Sequence, residues 1–331
     1  MWQITLGRTD LHISPIGLGC WQFSAAKGFS RFFWPVLEQE TVKAIVATSL
    51  AGGINWFDTA EVYGNGASEK ALALSLQALG IKSGEIIIAT KWFPLSRTAR
   101  SILQTFPRRE AALAPYPIDL YQIHMPLSFS SIERQLEQMA YLFQQQKIKA
   151  IGVSNFSRQQ MEQAAKALAR FGLSLASNQV RYNLLDRQIE KNGVLEYARQ
   201  LRTTIIAYSP LAQGLLSGKF HANPKLLSAI KGGRRLTRFF NRQGLELTRP
   251  LIDVLQQIAS KYEVSPSEVA LSWLILKNRG LVAAIPGASK PEHAAINCRA
   301  LKLVLSEDEI GLIDEISQKL DKKHIQKKPG F

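Results

Sequence analysis

Short apolar runs recur along the chain, separated by longer stretches whose apolar positions have helical spacing. This alternation is typical of parallel sheets built from strand–helix–strand units. Eight runs predict strands: PIGLG (15–19), GINWFD (53–58), EIIIATK (85–91), IDLYQIH (118–124), IKAIGVSN (148–155), LASNQV (175–180), TTIIAYSP (203–210) and GLVAAIPG (280–287). Eight strands close a (β/α)8 barrel, so the pattern predicts an α/β protein with the TIM-barrel fold.

The segments between and before these runs complete the prediction. SIERQLEQMAYLFQQQ (131–146) and SRQQMEQAAKALARFG (157–172) have clear helical patterns. In SPSEVALSWLILKN (265–278), the serine, proline and glutamate at its start are typical of a helix N-terminus. Residues 1–14 predict a β-hairpin that caps the bottom of the barrel. No linker rich in Pro, Gly or Ser interrupts the series, so we expect one domain over residues 1–331.

Composition limits the class of protein. Hydrophobic residues make up 46% of the 331 positions, which is enough for a large core without disulfides or metals. Cys20 and Cys298 are the only cysteines, a number that fits a reducing compartment. No apolar run is long enough to span a bilayer, and the N-terminus lacks the features of a signal peptide. We therefore expect a soluble, cytoplasmic protein with no membrane association.

The charge is strongly basic, with 41 Lys and Arg against 26 Asp and Glu and a formal net charge of +15. Such a balance suits a nucleic acid or a phosphorylated ligand. Two concentrations of positive charge occur, KGGRRLTRFFNR (231–242) and the C-terminal tail (319–331). We interpret the tail as solvated surface. Because no recognition motif or platform of aromatic and basic residues accompanies the charge, we expect no nucleic-acid partner.

Several common motifs are absent. GNGASE (64–69) begins like a dinucleotide fingerprint but has Glu69 where the third glycine belongs. GLLSGKF (214–220) is too short between its glycines for a P-loop, and Phe220 replaces the hydroxyl residue. The histidines and cysteines have no metal-ligand spacing, and no G-x-S-x-G elbow is present. We expect neither a metal site nor a hydrolase of that kind.

Polar and aromatic residues stand where the predicted strands end. These positions are Trp21, Asp58, Lys91, His124, Ser154, Asn155, Gln179, Tyr208, Pro286 and Gly287. In a (β/α)8 barrel the carboxyl ends of all strands converge on the face that carries the chemistry. Tyr63 follows the second strand closely, so we expect it on the same face.

Four of these side chains suggest a device for proton transfer. A phenol is protonated at neutral pH, so Tyr63 can donate a proton to a carbonyl oxygen. Lys91 would stabilise the phenolate that remains, and Asp58 would supply the counter-charge of the lysine. His124 would orient or polarise the same oxygen. The set contains no hydride, which a cofactor would have to supply.

Motifs along almost the whole chain resemble those of the aldo-keto reductases. They are GLGCW, FDTAEVYGNGASEK, ATKW, DLYQIHMP, IGVSNFS, SNQVRYNLL, YSPLAQGLLSGKF and IPGASKPEHAAIN, in the order of the family. The chain looks most like bacterial and plastid members related to the potassium-channel β subunits. The resemblance implies an NADPH-dependent reductase of carbonyls, with Asp58, Tyr63, Lys91 and His124 at the positions of the catalytic tetrad.

The resemblance also implies a cofactor site. Ser154, Asn155 and Gln179 match residues that hold the nicotinamide carboxamide, and Tyr208 matches the aromatic residue stacked under the ring. The matches to the remaining cofactor contacts, which include the pyrophosphate belt and the clamp on the adenosine 2′-phosphate, are Trp21, Ser209, Pro210, Leu211, Gln213, Gly214, Ser217, Lys219, Gly287, Ser289, Lys290 and Asn297. His293 departs from the family, which usually has glutamine there, and a neutral imidazole would serve instead as a donor to the adenine.

Lys219, Lys290 and Arg235 bear on the choice between NADPH and NADH. Two charged contacts to the 2′-phosphate would favour NADPH by about 10²–10⁴-fold. Residues 231–242 are either a loop that covers the cofactor or an inert basic loop. The two readings remain open at this point.

Apolar residues on the top-face loops are candidates for a substrate pocket. They are Trp21, Phe29, Trp34, Trp92 and Met125, although plain loop packing would explain them equally well. Substrate identity does not follow from these motifs. An alternative function is an NADPH-binding regulatory or redox-sensing module with slow turnover. Nothing in the sequence requires an oligomer.

Overall fold

The computed structural model describes residues 2–24, 36–230 and 239–325. Its central feature is a sheet of eight parallel strands in consecutive order, which confirms the predicted barrel. The strands are β3 (Leu18–Gly19), β4 (Trp56–Asp58), β5 (Ile87–Trp92), β6 (Ile118–Ile123), β7 (Ile148–Ser154), β8 (Ser177–Arg181), β9 (Thr204–Tyr208) and β10 (Val282–Ile285).

The barrel closes between its first and last strands. The backbone N–H of Gly17 donates to the carbonyl of Ala284 at 2.8 Å, and the N–H of Gly19 donates to that of Pro286 at 3.1 Å. The N–H of Ala284 donates in return to the carbonyl of Pro15 at 2.9 Å. The regular strand β3 is thus shorter than the predicted run 15–19, although residues on both sides of it contribute to closure.

Helices follow the strands and cover the outside of the barrel. They are α1 (Gln39–Ala51), α2 (Ala67–Ala78), α3 (Arg100–Leu113), α4 (Ile132–Gln144), α5 (Arg158–Ala169), α6 (Gln188–Lys191), α7 (Val194–Leu201), α8 (Lys219–Ala222), α9 (Arg242–Lys261), α10 (Pro266–Lys277), α11 (Pro291–Ala300) and α12 (Glu307–Ile325). Because α12 continues to Ile325, the first part of the basic tail is helical.

Two helix starts are fixed by capping contacts, and the one at α10 was predicted. Ser157 and Gln160 form a capping box at the start of α5. At the start of α10, the Glu268 carboxylate accepts hydrogen bonds from the backbone N–H of Ser265 at 2.7 Å and from its hydroxyl at 2.6 Å. These contacts satisfy N–H groups that a helix leaves without partners, and they fix where the chain turns onto the barrel surface.

The predicted hairpin is present as β1 (Ile4–Thr5) paired with β2 (His12–Ile13). Ile4, Leu6 and Ile13 are buried in the same apolar cluster as barrel-interior residues such as Trp56 and Ile206. The hairpin therefore plugs one end of the barrel, as expected. A second and larger cluster lies between the strands and the helices. Within the described ranges, no helix has both the length and the apolar character needed to cross a membrane.

Candidate active site

A buried ion pair joins the ends of β4 and β5. Asp58 and Lys91 are 1% and 0% exposed, and Lys91 Nζ donates to Asp58 Oδ1 at 2.5 Å and to the carbonyl of Thr59 at 2.8 Å. Burial alone would lower the pKa of Lys91, but Asp58 and Tyr63 oppose it and the net pKa is raised. Lys91 is therefore an ammonium at neutral pH.

The second oxygen of Asp58 is held by two amides. Gln179 Nε2 donates to Oδ2 at 2.8 Å and Gln122 Nε2 donates to it at 3.1 Å. Gly152 makes room for this arrangement, because a Cβ there would lie 2.9 Å from Gln122 Cγ and 2.3 Å from Ser177 Oγ. Gln179, which the resemblance places at the cofactor, also supports the acid in this structure. Gln122 was not among the predicted site residues. Its place in β6, two residues before His124, is the sequence feature that could have pointed to it.

Tyr63 lies in the loop after β4, half-buried beside the ion pair. Lys91 Nζ is 5.0 Å from the centre of the phenol ring. Gly64 follows with φ of +67°, and a Cβ there would lie 2.2 Å from the carbonyl oxygen of Ser24, so only glycine fits this turn. Burial raises the pKa of Tyr63, and the charge of Lys91 offsets only part of that rise. Tyr63 is thus protonated at neutral pH.

His124 follows β6 and contacts two aromatic rings edge-on. The imidazole centre is 5.7 Å from that of Tyr63 and 5.7 Å from that of Phe93, with interplanar angles of 80° and 83°. Its Nδ1 is buried and has no hydrogen-bond partner among the described residues. Burial and the charge of Lys91 hold the pKa of His124 well below its usual value, so the ring is neutral at pH 7. The structure thus brings Asp58, Tyr63, Lys91 and His124 together.

A polar chain continues from the tetrad to the strands across the barrel. Asn155 Nδ2 donates to Ser154 Oγ at 3.0 Å and to the carbonyl of His124 at 3.3 Å. The Tyr208 hydroxyl donates to Asn155 Oδ1 at 3.0 Å, and Ser154 Oγ donates to the carbonyl of Gln179 at 2.9 Å. Arg181 lies over the Tyr208 ring, 5.7 Å from its centre. These predicted cofactor residues therefore form one connected surface at the mouth.

The loop after β9 has an unusual backbone. Ser209, Ala212 and Gln213 have φ of +51°, +48° and +57° although none of them is glycine. Successive residues of this kind turn peptide N–H groups toward one side and form concavities that suit anions. Ser217 Oγ donates to the carbonyl of Gly214 at 2.7 Å, and Lys219 is exposed just beyond. This stretch contains the predicted pyrophosphate contacts, which also include Leu211, and the predicted cofactor residue Pro210.

The predicted clamp on the adenosine end lies after β10. Ser289 Oγ and His293 Nδ1 are 3.2 Å apart, and Lys290 is exposed beside them. Partial burial and the charges of Lys219 and Lys290 lower the pKa of His293. Asn297 is 1% exposed, and its Nδ2 has no hydrogen-bond partner among the described residues. Gly287 lies against the side chain of Gln22. The cluster combines positive charge with a buried donor, which fits a phosphorylated ligand.

The residues predicted to line a substrate pocket lie in different environments. Trp21 is half-buried with its ring centre 6.2 Å from that of Tyr63, and Met125 is half-buried after His124. The expectation for Trp92 is wrong: it is 0% exposed, and its Nε1 donates to Ser101 Oγ at 3.1 Å. Because Lys91 faces the barrel interior, the next residue in the strand faces the helices. Phe93, which was not predicted, lies at the mouth of the barrel instead and contacts His124.

Some candidates lie outside the described residues, namely Phe29, Trp34 and Arg235. The same holds for residues 231–238 of the basic segment. In the part of the chain that the structure describes, no three His, Cys, Asp or Glu side chains are grouped so as to hold a metal ion.

Comparison with known proteins agrees with this geometry. The model of the Aldo/keto reductase family matches residues 15–318. An uncharacterized oxidoreductase of Mycobacterium tuberculosis is 35% identical over 297 residues, which cover 89% of this chain and 86% of that protein. A putative voltage-gated potassium channel subunit beta of Schizosaccharomyces pombe is 29% identical over 94% of this chain and 92% of its own. The predicted relationship to channel β subunits is confirmed.

A solved structure shows the same fold. The glycerol dehydrogenase from Gluconobacter oxydans superimposes with a TM-score of 0.81 and 28% identity, covering 99% of this chain and 98% of its own. The barrel, the motifs and the family match together confirm the family that the sequence predicted. The chain belongs to the aldo/keto reductase family, whose members are oxidoreductases of carbonyl substrates that use nicotinamide cofactors.

Proposed function

We propose that the protein reduces aldehydes and ketones to alcohols with NADPH, and that Tyr63 donates the proton. The observation that carries this proposal is the buried ammonium of Lys91, held by Asp58 and placed 5.0 Å from the Tyr63 ring. Asp58 and the carbonyl of Thr59 hold this ammonium, but an apolar side chain would fill the same position without the cost of burying a charge. Its chemical use is to stabilise the phenolate that remains after Tyr63 has given up its proton.

Each member of the tetrad then has a defined task. Tyr63 keeps its proton at neutral pH and delivers it to the oxygen of the substrate. Lys91 stabilises the resulting phenolate, and Asp58 keeps the lysine charged and in place. His124 is neutral, so it can donate a hydrogen bond to the substrate oxygen without adding a charge that would compete with Lys91.

The residues around the mouth fit a nicotinamide dinucleotide. Tyr208, Asn155 and Ser154 would hold the nicotinamide end, the loop from Ser209 to Lys219 would hold the pyrophosphate, and Ser289, Lys290, His293 and Asn297 would hold the adenosine end. Asn297 Nδ2 is buried and has no hydrogen-bond partner within the described ranges, which supports this assignment because a bound base would supply an acceptor. When bound, the nicotinamide would supply the hydride that none of these side chains carries.

The preference for NADPH rests on charge. Lys219 and Lys290 lie close enough to His293 to lower its pKa, so positive potential is concentrated at this end of the site. Arg235, which lies outside the described residues, is proposed as a further cation for the 2′-phosphate. A 2′-phosphate would be bound by these cations, whereas NADH offers no group for them. For the substrate, we propose a small carbonyl compound that contacts Trp21, Met125 and Trp34.

The first test is NADPH consumption by the purified protein with an activated aromatic aldehyde, beside a Tyr63→Phe variant. We expect the substitution to lower kcat by about 10²–10⁴-fold, because it removes only the proton donor. Binding of NADPH, followed by quenching of tryptophan fluorescence, should be unchanged. A Tyr63→Phe variant that keeps most of the wild-type rate would disprove the role of Tyr63.

A second function is favoured by the similarity to a channel β subunit. The protein would then bind NADPH tightly and turn over slowly, as a regulatory or redox-sensing module. The same experiment separates the two functions. Tight binding of NADPH without turnover in wild type and variant alike would favour the regulatory function.

A further inference from the structure

Glu61 lies in the same short loop as Tyr63, between the two catalytic residues Asp58 and Tyr63. Its side chain is 8% exposed, and both carboxylate oxygens accept hydrogen bonds. Oε1 accepts from the backbone N–H of Phe93 at 2.5 Å and from Arg97 Nη1 at 2.5 Å, while Oε2 accepts from Arg109 Nη1 at 3.1 Å. A buried carboxylate with three donors is fixed in one position, and it fixes its partners in turn.

One of these partners bears directly on His124. The imidazole has no hydrogen bond to its buried Nδ1 from the described residues, so its orientation depends on the two rings that contact it edge-on. One ring is that of Tyr63, in the loop of Glu61. The other is that of Phe93, whose backbone N–H is bound to Glu61. The loop that contains Glu61 therefore holds both rings that contact His124: Tyr63 belongs to the loop, and Phe93 is hydrogen-bonded to Glu61.

Arg97 extends this connection to the loop that follows His124. Its Nη1 also donates to the carbonyl of Phe93 at 3.0 Å, which holds both ends of that residue's backbone. The carbonyl of Arg97 accepts from the N–H of Phe129 at 3.0 Å and from the hydroxyl of Ser128 at 2.8 Å. The loops after β4, β5 and β6 thus converge on the Glu61 carboxylate.

We propose that Glu61 is a positioning residue, which fixes the Phe93 ring against His124 and so aims the imidazole at the oxygen of the substrate. The inference rests on the proposed function for its effect on the rate, but its structural content stands apart from turnover. Glu61 touches no reacting atom. It acts through the backbone of Phe93, and the ring of Phe93 acts on His124.

The test compares Glu61→Leu, Phe93→Leu and the double variant with wild type. Each single substitution should lower kcat by about 10- to 100-fold, with the Kd for NADPH unchanged, because a small misplacement of a catalytic group is costly. The double variant should be no slower than the slower single variant, because both changes remove the same clamp. Glu61→Gln, which keeps one carbonyl acceptor for the Phe93 N–H, should recover part of the lost rate.

Glu69→Gln is the matched control. Glu69 is a second buried glutamate beside Arg109, with Arg109 Nε 3.0 Å from its Oε2, so the variant alters another buried carboxyl group at the same arginine. It leaves the bond from Phe93 to Glu61 intact, so we expect the wild-type kcat. An equal loss of rate in Glu69→Gln and Glu61→Leu would show a general effect of disturbing the buried carboxyl groups around Arg109 and would overturn the inference.

A readout without turnover completes the test. The imidazole ¹H–¹³C resonance of His124, in protein labelled at histidine and assigned with a His124→Gln variant, reports the ring environment directly. We expect it to shift or broaden in Phe93→Leu and in Glu61→Leu, and to stay in place in Glu69→Gln. If Glu61→Leu fails to fold, Phe93→Leu and Glu61→Gln still test whether Glu61 positions His124 through Phe93. An unchanged His124 resonance in Phe93→Leu overturns the inference, whereas a wild-type protein without turnover counts only against the proposed function.

Discussion

The two halves of the barrel mouth are built differently. At the ends of β4, β5 and β6, the groups proposed for proton transfer are side chains held within the fold, and Lys91 and Asp58 are at most 1% exposed. After β9 and β10, the groups proposed for cofactor binding are backbone turns with positive φ and exposed side chains such as Lys219 and Lys290. The first half is a buried electrostatic device, and the second is an open surface.

This difference follows from what each half has to do. A buried charge pair has strong electrostatic interactions because little water screens it, and its members need not move during the reaction. A surface that takes up and releases a large anionic ligand must be reached from solvent. We therefore expect substitutions in the first half to affect catalysis and stability together, and those in the second to affect binding alone.

The largest effect is expected for Lys91→Met. The substitution removes the cation that stabilises the Tyr63 phenolate, so kcat should fall by at least about 10³-fold. It also leaves Asp58 buried without its cation, which should lower the free energy of unfolding by about 3–5 kcal/mol. Steady-state kinetics and urea denaturation measure the two effects.

A double variant sharpens this prediction. Asp58→Asn combined with Lys91→Met removes both charges, so much of the lost stability should return while the rate stays low. Full activity in either variant would contradict the proposed role of Lys91. If Lys91→Met were inactive but as stable as wild type, the description of this half as a buried device would be wrong.

A smaller effect concerns Glu69, which lies behind the tetrad. Its Oε1 accepts a hydrogen bond from Thr90 Oγ1 at 2.6 Å, and burial raises the pKa of its carboxyl to about 7 despite Arg109. Because the pKa in the folded state exceeds the unfolded value, protonated Glu69 contributes stability that is complete below about pH 4.5 and is lost as the pH rises through about 7. The shift corresponds to about 3 kcal/mol.

Urea denaturation between pH 4.5 and 8 measures this contribution. In wild type the free energy of unfolding should fall across this range more steeply than in Glu69→Gln, which has no proton to lose at that position. Parallel curves for the two proteins would show that Glu69 is ionised throughout, and that this half of the mouth is less desolvated than the structure indicates.

The sequence predicted the parts of the site that depend on the ends of strands. Asp58 is the last residue of β4, Lys91 the last but one of β5, and His124 the first after β6, and parallel strands bring such positions to one face whatever the details of the loops. The hairpin and the start of α10 were equally accessible, since local patterns determine them. These features required no knowledge of contacts between distant residues.

What the sequence did not predict depends on the direction of single side chains. Trp92 and Phe93 are neighbouring aromatic residues directly after Lys91, and only the register of β5 decides that the first faces the helices and the second the mouth. Gln122 is hidden inside a strand, and its contact with Asp58 spans 64 positions. In the sequence Glu61 is an ordinary acidic residue of a loop. Its three hydrogen-bond donors, Phe93 N–H, Arg97 and Arg109, come near it only in the folded structure.

The smallest effect tests the open half of the mouth. Lys290→Met removes one cation from the cluster proposed for the 2′-phosphate, at a cost of about 1.5–3 kcal/mol for a charged contact. The Kd for NADPH should therefore rise by about 10- to 100-fold, while the Kd for NADH stays the same. Lys166→Met is the control, because Lys166 is an exposed lysine on α5 paired with Glu162, at 2.8 Å, and is not part of this cluster.

Binding titrations with both dinucleotides measure the two Kd values, and kcat at saturating NADPH shows whether the loss of affinity also affects catalysis. An unchanged kcat would show that the two halves are separable, whereas a kcat that falls with affinity would mean that the adenosine end also sets the geometry at Tyr63.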